Sequence, residues 1–259
     1  SEIGTGTHFF FFLIKAQFDE KTATFNGVKS MVTSAKQASY YLILTPSDKE
    51  GGVDNWVVPL ETEGLSFDQN TWNGLGMRGN VSCQMKMDNI KLCRKLRIGE
   101  AGKGVEQVFS VVAPYFIVGL ASVYTGICQN VLEEATSHSM GRKYSTGKSL
   151  SEIETVQIHL AKIYSMTNAA IYGTKEAARA AGQGEADALA KILSARIFAS
   201  ESAIETARIG MRIGGGKAYN KLGVMERLLR DSYAGQIMAP SVDVLTVWLG
   251  KAITGQELV

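Results

Sequence analysis

The spacing of apolar residues changes once along the chain, near Gly104. Before this point, short segments rich in β-branched and aromatic residues alternate with turn-forming residues, a pattern typical of strands in a small sheet or barrel. After it, apolar residues recur at the intervals of amphipathic helices. The sequence therefore predicts an α+β protein: a small antiparallel β-barrel domain, residues 1–100, followed by an antiparallel four-helix bundle, residues 101–259.

The first region contains apolar segments that favour strands, at residues 9–18, 39–44 and 55–60. Asn26-Gly27 separates two further short segments and predicts a tight type I′ hairpin turn. Gly51-Gly52 predicts another turn. Strict alternation is lost in the phenylalanine run 9–12, so we expect that strand to be buried on both faces.

The second region predicts a series of helices joined by short glycine-rich links. Pro114 suits the first turn of a long helix that ends near Arg142. Ser151 and Glu154 have the spacing of a capping box that opens a second helix, ending near Gly182. We expect the remaining helices at 185–212, stopped by glycines 214–216, at 225–233, and from Pro240-Ser241 onward.

Arg196 interrupts the apolar face of the helix predicted at 185–212. A long cationic side chain at such a position usually packs its stem on apolar neighbours and extends its head into water. We therefore expect Arg196 at the edge of the apolar stripe.

The uncharged segment 107–132 is long enough to span a bilayer. It contains Pro114, Ser122, Gln129 and Asn130, however, whose polar groups are costly in lipid, and charged helical sequence follows directly. A helix buried within the bundle is therefore favoured over a membrane span.

The composition excludes some function classes. The net charge is only +2, and this balance of charges argues against a dedicated binder of nucleic acid or of anionic membranes. Such a protein would need a dominant basic face. The three cysteines show no zinc or disulfide spacing, and the three histidines no metal-ligand pattern. We expect a reducing compartment, the cytoplasm or, in a eukaryote, the mitochondrial matrix.

Short motifs in both regions resemble those of the acyl-CoA dehydrogenase family. In the first region, residues 1–7 resemble TEPxAGS, 26–33 NGxKxWIT, 75–83 GxRGSxT and 99–104 GExGxG. In the second, 142–157 resemble RxxFGxxxxxxQ, 214–219 GGxGY and 226–231 ERxxRD. Each motif is weak singly, but together they follow the family order along nearly the whole chain. The resemblance is specific to the family and not to a substrate.

The resemblance implies an FAD-dependent acyl-CoA dehydrogenase of fatty acid metabolism. In that family a carboxylate removes the α-proton of an acyl-CoA thioester, flavin N5 accepts the β-hydride, and electrons pass to an electron-transfer flavoprotein. The implied assembly is a homo-oligomer, or a hetero-oligomer with related subunits, without a transmembrane span. The family's N-terminal helical domain is absent from this sequence, and a separate chain is one expected source of it.

The resemblance also implies flavin-binding residues in the first region. Gly6 and Thr7 belong to a glycine-containing loop that lets the backbone approach the flavin and the CoA pyrophosphate. Val32 and Thr33 match positions that line the flavin. Met31 stands where the family usually has Trp; it can cover a ring but has no indole N–H to donate.

Phosphate-binding residues are implied in the second region. Arg142 matches an arginine that reaches a flavin phosphate of a neighbouring subunit, a role that suits a guanidinium. Arg212 is a candidate for a further phosphate contact, and Gly215 and Gly216 allow close approach to the adenine half of FAD. The structural alternatives are a helix C-terminal cation for Arg142 and a helix C-cap for the first glycine, Gly214.

The position of the catalytic base is the main departure from the family. Residues 236–241 match QIYEGT, in which Glu is the base, and here Ala239 occupies that position. Ala239 cannot abstract a proton, although its backbone N–H can donate to the thioester carbonyl. The family's second base position falls within 113–116, where this chain again has no carboxylate.

The nearest carboxylate is Asp243, about one helical turn after Ala239 and a candidate base. Alternatively, Asp243 is a helix N-terminal acid or contacts the FAD ribose. Ser241 begins the last helix, whose free N–H groups can hold an FAD phosphate.

Three functions therefore remain open. The first is an active acyl-CoA dehydrogenase with a relocated base. The second is a base-deficient, acyl-CoA dehydrogenase-like subunit with a binding or structural role in a larger complex. The third is a flavin enzyme that uses oxygen or another substrate without CoA.

Overall fold

The computed structural model describes Glu2, Thr5 and residues 11–258, which form two compact units. Unit 1 comprises Ser1–Gly74 and Arg78–Val112, and unit 2 comprises Leu75–Met77 and Ala113–Val259. The short segment Leu75–Met77 therefore belongs with the helices although it lies between strands in the sequence.

Unit 1 contains two antiparallel sheets, ordered β1-β2-β6-β5 and β3-β4-β7. They are built from β1 (Lys15–Phe18), β2 (Thr22–Thr33), β3 (Tyr40–Pro46), β4 (Val53–Pro59), β5 (Leu65–Asp68), β6 (Ser82–Cys93) and β7 (Arg97–Ile98). The sheets do not close into the predicted barrel, because hydrophobic alternation specifies strands but not their pairing around a ring. The antiparallel strands and the turn at Gly51-Gly52 are confirmed, the latter by a hydrogen bond from Ser47 N to Gly52 O of 3.0 Å.

The core of unit 1 consists of inward-facing strand residues. Phe25 and Trp56 are fully buried and meet edge to face, with ring centroids 5.2 Å apart. Met85, Met87 and Ile90 of β6 are also fully buried. Met85 and Met87 follow the period of two expected for sheets with one buried face, which is interrupted by exposed Asp88 and Asn89 before Ile90.

The hairpin predicted at Asn26-Gly27 is wrong, because β2 runs straight through these residues. A register shift between Phe25 and Gly27 interrupts its pairing with β6, as expected for a β-bulge. Gly27 is required by packing, since a Cβ there would lie 2.7 Å from Ile14 Cγ1. The turn is instead at Asp19, whose carboxylate accepts hydrogen bonds from Lys21 N and Thr22 N.

The predicted strand at 9–18 is shorter in the structure and begins at Lys15. Phe9 and Phe10 lie outside the described residues. Phe11 is 67% exposed, so the predicted burial of the phenylalanine run is wrong at this position. Strand pairing, which residue type alone does not determine, ends at Lys15.

The helices begin within unit 1 with α1 (Gly104–Gln107) and a π-helical turn at Val108–Val112. Unit 2 contains five helices where the sequence predicted a four-helix bundle: α2 (Ala113–Gly141), α3 (Glu154–Gln183), α4 (Ala188–Ala218), α5 (Val224–Ile237) and α6 (Val242–Ile253). Each coincides with a predicted helical segment, and α5 and α6 complete the packing around the three long helices.

Helix boundaries differ from the prediction at two places. The capping box uses Ser149 and Glu152, with Ser149 N donating to Glu152 Oε1 at 2.7 Å, in place of Ser151 and Glu154. Leu150 is buried in a 3-10 turn at Leu150–Glu152, and the capping box begins two residues earlier than predicted. Glycines 214–216 interrupt α4 as predicted, because Gly215 has non-helical φ 55° and ψ −140°, but helical residues follow this kink as far as Ala218.

The helical stretch Gly104–Gly141 is long and apolar enough to cross a membrane, by length and composition alone. Tyr124, Cys128 and Val131 of this stretch belong to the buried core of unit 2. A core helix of a bundle passes the same test, so the packing agrees with the predicted bundle helix.

Arg196 is not at the edge of the apolar stripe, and the prediction of a solvated head is wrong. Its side chain is fully buried in α4. The neighbouring helices α2 and α5 cover the face on which it lies, through contacts with Tyr124 and Gly235. The pattern of residues along one helix does not show which neighbouring helices bury a given face.

Candidate functional site

The last residues of β2 form the strand-side part of the candidate site. Thr33 pairs with Ser82 of β6, and their hydroxyl oxygens lie 3.2 Å apart. Met31 is 62% exposed, and Val32 is partly buried. Strand β1 pairs with β2 as far as Asn26, and Glu2 forms an isolated antiparallel bridge with Lys29 further along β2.

A buried ion pair supports β2 just before these residues. Lys29 Nζ lies 2.8 Å from Glu2 Oε1 and donates to Leu44 O at 2.7 Å. Burial lowers the pKa of Lys29, and the hydrogen bond and charge of Glu2 oppose this shift. The Glu2 carboxylate also accepts from Ile14 N at 3.0 Å. Glu2 and Lys29 each belong to a motif, 1–7 and 26–33, but the motifs did not predict that they pair, because the two residues are distant in the sequence.

The predicted glycine loop is only partly described. Thr5 Oγ1 donates to Glu2 O at 3.0 Å, which forms a local turn. Gly6 and Thr7 lie outside the described residues, so their proposed approach to the flavin stays a prediction.

The GExGxG-like motif has a structural explanation within unit 1. Gly102 N donates to Asp54 Oδ1 at 2.7 Å, and Asn55 Nδ2 donates to Gly104 O at 3.0 Å. A Cβ at Gly104 would lie 2.6 Å from Val53 O. The motif therefore lets the start of α1 pack directly on the backbone of β4.

Arg142 lies just beyond the C-terminus of α2 and is exposed. Its carbonyl oxygen accepts from Leu150 N at 2.8 Å, and its guanidinium lies 5.7 Å from the Tyr144 ring centroid. The pKa of nearby His138 is lowered, first by burial and then by the charges of Lys217 and Arg142. The charges of Arg142, just after α2, and of Lys217, near the end of α4, thus both act on His138, and Glu134 opposes them.

Arg212 is exposed on α4 and belongs to a different basic group. The pKa of His159 is lowered by burial and then by the charges of Arg212, Lys162 and Arg208. Glu205 neutralises part of this group, since it contacts Lys162 at 2.9 Å and Arg208 at 2.7 Å. Arg212 therefore has a separate set of neighbours from Arg142.

Gly215 and Gly216 are exposed near the end of α4. Gly215 has φ 55° and ψ −140°, a conformation that favours glycine. A Cβ at either residue would meet no atom within 4 Å, whereas a Cβ at Gly214 would lie 2.4 Å from the Ala218 Cβ. Packing thus explains Gly214, and the kink explains Gly215. The backbone at 215–216 remains open to a ligand.

The link between α5 and α6 contains Ala239, at which the sequence resemblance predicts the family's base position. Ala239 is exposed and lies outside both helices. Ser241 is the N-cap of α6, and its hydroxyl accepts from Val244 N at 3.4 Å. Asp243 is exposed in the first turn of α6. The predicted spacing of one helical turn between Ala239 and Asp243 is wrong, because the helix begins only at Val242.

The ERxxRD-like motif holds the GxRG-like segment against α5 within unit 2. Arg230 pairs with Glu226 at 2.6 Å and donates to Leu75 O at 3.0 Å. Asp231 Oδ1 accepts from Met77 N at 2.6 Å. A structural contact therefore accounts for residues of two motifs.

The sequence did not reveal that a buried charged residue, Arg196, contacts the last turn of α5. Arg196 donates through Nη1 to Gly235 O at 3.0 Å and also to Ser200 Oγ, and its guanidinium lies 4.8 Å from the Tyr124 ring centroid. Burial lowers the pKa of Arg196. The available signal was that Arg196 interrupts the apolar face of the predicted helix.

Comparison with protein families gives matches in both units. Residues 1–90 match the acyl-CoA dehydrogenase middle domain, and residues 118–253 match the acyl-CoA dehydrogenase C-terminal domain. The domains occur in this order, as the sequence motifs predicted.

Curated relatives cover most of the chain at low identity. Cyclohex-1-ene-1-carbonyl-CoA dehydrogenase of Geobacter metallireducens is 25% identical over 88% of this chain and 60% of its own length. Caffeyl-CoA reductase-Etf complex subunit CarC of Acetobacterium woodii is 26% identical over 80% of this chain and 54% of its own length. The chain thus spans three fifths or less of these relatives.

Among solved structures, butyryl-CoA dehydrogenase from Megasphaera elsdenii matches with a TM-score of 0.91. The match covers 98% of this chain and 66% of that one, at 23% identity. The two proteins share the fold.

Proposed function

Because the chain belongs to the acyl-CoA dehydrogenase family, we propose that it takes part in the α,β-dehydrogenation of an acyl-CoA thioester. The observation that carries this proposal is the match of both units to family domains in family order. Members of this family are flavin-dependent oxidoreductases. The names of the relatives with CoA substrates support the same substrate class.

The chain has residues suited to FAD in both units. In unit 1, the exposed side chains of Met31 and Thr33 at the end of β2 offer an apolar group and a hydroxyl to a flat ring. In unit 2, the exposed guanidinium of Arg142 suits phosphate, and exposed Gly215 leaves room for close approach. Bound FAD supplies the acceptor for the substrate hydride.

Acyl-CoA activation is proposed for the link between α5 and α6. The backbone N–H of Ala239 donates to the thioester carbonyl as negative charge develops there. The α-proton goes to a carboxylate, and Asp243 in the first turn of α6 is the candidate within this chain. Ser241 is already engaged as the N-cap of α6, so its contribution is to fix the start of this helix.

The proposed partners are an acyl-CoA and an electron-transfer flavoprotein. CarC, by its name, is a subunit of a complex with Etf, and this supports the second partner. We further propose an oligomer with identical or related subunits, in which Arg142 contacts the flavin phosphate of a neighbour. Large exposed side chains on α2 and α3, Tyr115 and Tyr172, offer surface for such packing.

A base-deficient subunit is the second candidate function. It is favoured by Ala239, which has no titratable group, and by the loss of helical spacing between Ala239 and Asp243. In this case the protein keeps the family fold but serves as a binding or structural component of a larger complex.

Anaerobic reduction of the bound flavin distinguishes these functions. The purified protein is loaded with FAD, freed of excess cofactor and mixed with acyl-CoAs of different chain length and branching. Loss of the oxidised-flavin absorbance with at least one acyl-CoA is the result expected of a dehydrogenase. Stable FAD binding without bleaching, also in the presence of related subunits, would instead favour the base-deficient subunit.

A further inference from the structure

The buried Arg196 of α4 is surrounded by neutral groups. Its side chain has no exposed surface, and its guanidinium lies 4.8 Å from the Tyr124 ring centroid. Nη1 donates to Gly235 O and Ser200 Oγ, while Nε and Nη2 have no hydrogen-bond partner among the described residues. A buried cation without a paired carboxylate is costly to fold, so its contacts call for a functional explanation.

The contact with Gly235 fixes the end of a helix. Gly235 lies in the last turn of α5, where carbonyl groups lack intrahelical partners. A cation donating to such a carbonyl is favoured both by the hydrogen bond and by the negative end of the helix dipole. Arg196 therefore stabilises the C-terminus of α5 from inside the bundle.

Close packing adds a second constraint on the same turn. A Cβ at Gly235 would lie 2.9 Å from Tyr124 Cε1 and 3.2 Å from Ser200 Cβ. The backbone of α5 therefore rests directly on the side chains that contact Arg196. Small shifts of the guanidinium are transmitted to α5, because no side chain at Gly235 can absorb them.

The next contact lies immediately before the base position. The Tyr124 hydroxyl lies 3.7 Å from Met238 Sδ, within reach of a weak hydrogen bond. Met238 is the C-cap of α5, and Ala239 follows it. Arg196, through Gly235, and Tyr124, through Met238, thus hold the chain at both ends of the segment leading to Ala239.

We propose that Arg196 is a positioning residue that places the Ala239 N–H and the start of α6 for the reaction. The inference rests on the proposed function, since only a reaction at Ala239 makes this placement relevant to catalysis. Arginine suits the task because its planar head stacks on Tyr124 while one nitrogen reaches Gly235 and Ser200.

The test compares Arg196→Met with Arg196→Lys, and uses Arg179→Met as the control. Met keeps an unbranched apolar stem but removes the donors, and Lys keeps the charge. Arg179 pairs with Glu176 at 2.6 Å on the surface, far along the sequence from the α5–α6 link. The FAD-loaded protein is used throughout.

The first measurement is backbone amide hydrogen exchange by mass spectrometry, which requires no activity. For Arg196→Met we expect at least tenfold faster exchange in residues 236–244, with the remaining helices close to the unsubstituted protein. Arg196→Lys should give an intermediate effect at the same residues, and it serves as the informative variant where Arg196→Met does not fold. An equal increase along all helices, or none at residues 236–244, overturns the inference.

The second measurement is flavin reduction at saturating acyl-CoA. For Arg196→Met we expect reduction slower by about tenfold to a hundredfold, the effect of a small misplacement, with unchanged flavin content and acyl-CoA affinity. Arg196→Lys should reduce the flavin faster than Arg196→Met does. Arg179→Met should reduce it at the rate of the unsubstituted protein. A rate within twofold of the unsubstituted protein in Arg196→Met overturns the catalytic role of the placement. If the unsubstituted protein is not reduced, the proposed function fails, and hydrogen exchange alone decides whether Arg196 fixes the segment.

Discussion

Asp231 of α5 accepts a hydrogen bond from the backbone N–H of Met77, with 2.6 Å between Oδ1 and N. Between Met77 and Leu75 lies Gly76, where a Cβ would come within 2.3 Å of Arg230 O. Segment 75–77 therefore touches α5 with its backbone, and side chains of α5 hold it on both sides of the glycine.

This contact predicts a different tolerance for two nearby glycines. Gly76→Ala should lower the free energy of unfolding by about 1–3 kcal/mol, because the added methyl group has to displace the α5 backbone. Gly79→Ala is the matched control, since a Cβ there meets no atom within 4 Å. Urea denaturation measures both variants. Equal stability of the two variants would contradict the described packing of segment 75–77.

Stability should depend on pH through Glu205. Hydrogen bonds from Arg208 and Lys162 lower the pKa of Glu205 from 4.5 to about 2. The unfolded protein therefore binds more protons than the folded protein between these values, so the stabilisation is complete above pH 4.5 and is lost as the pH falls toward 2. Solvent screens this partly exposed group, so we expect about 1 kcal/mol or less.

Glu205→Gln measures this contribution. Its urea midpoint should fall less steeply between pH 5 and pH 3 than that of the unsubstituted protein, provided both remain folded over this range. High salt should reduce the difference, because it screens the pairs with Lys162 and Arg208. Parallel pH profiles at low salt would exclude the stabilising role of Glu205.

FAD retention should depend on the charge and shape of residue 142. Arg142→Met removes the proposed phosphate contact, and we expect at least a tenfold loss of FAD affinity with little change in thermal stability of the cofactor-free protein. Arg142→Lys should lose less, because it keeps the charge but not the bidentate geometry. The ratio of flavin to protein absorbance after gel filtration gives the result. Normal FAD content in Arg142→Met would contradict the phosphate contact, and Arg142 would then serve only as a cation at the C-terminus of α2.

Asp243→Asn tests the proposed base. The variant should keep FAD and bind acyl-CoA, but flavin reduction should slow by about 10²–10⁴-fold, the usual contribution of a general base. Asp187→Asn, at an exposed carboxylate before α4, is the control. An unchanged reduction rate in Asp243→Asn would remove this residue as the base and point to a carboxylate from another chain or segment.

The sequence motifs predicted the protein family, but they did not predict the structural roles of the residues they contain. The order of the motifs predicted the family, and the matched domains confirm it. Yet Gly104 packs on β4, and Asp231 holds Met77. These are structural roles that spacing along the chain did not reveal, since each partner is distant in the sequence.

Local signals also failed where a neighbouring element overrode them. Asn26-Gly27 has the sequence of a hairpin turn, but pairing with β6 on both sides keeps it within a strand. Arg196 has the sequence of a solvated helix edge, but α2 and α5 cover it. In both cases contacts between different elements outweigh the local preference of the sequence. The period of hydrophobic residues gives no information about such contacts.

The sequence by itself determined the class of each region, the places of the helices, the segments of β1 to β4 and the family, but not β5, β6 or β7. The hydrophobic period and the order of the motifs can be read from the sequence alone, because neither depends on how distant residues pack. Tertiary structure alone decided the separation of the two sheets, the burial of Arg196 and the position of Ala239 outside α6. The physical reason is that strand pairing, desolvation and helix ends depend on groups brought together from distant parts of the chain.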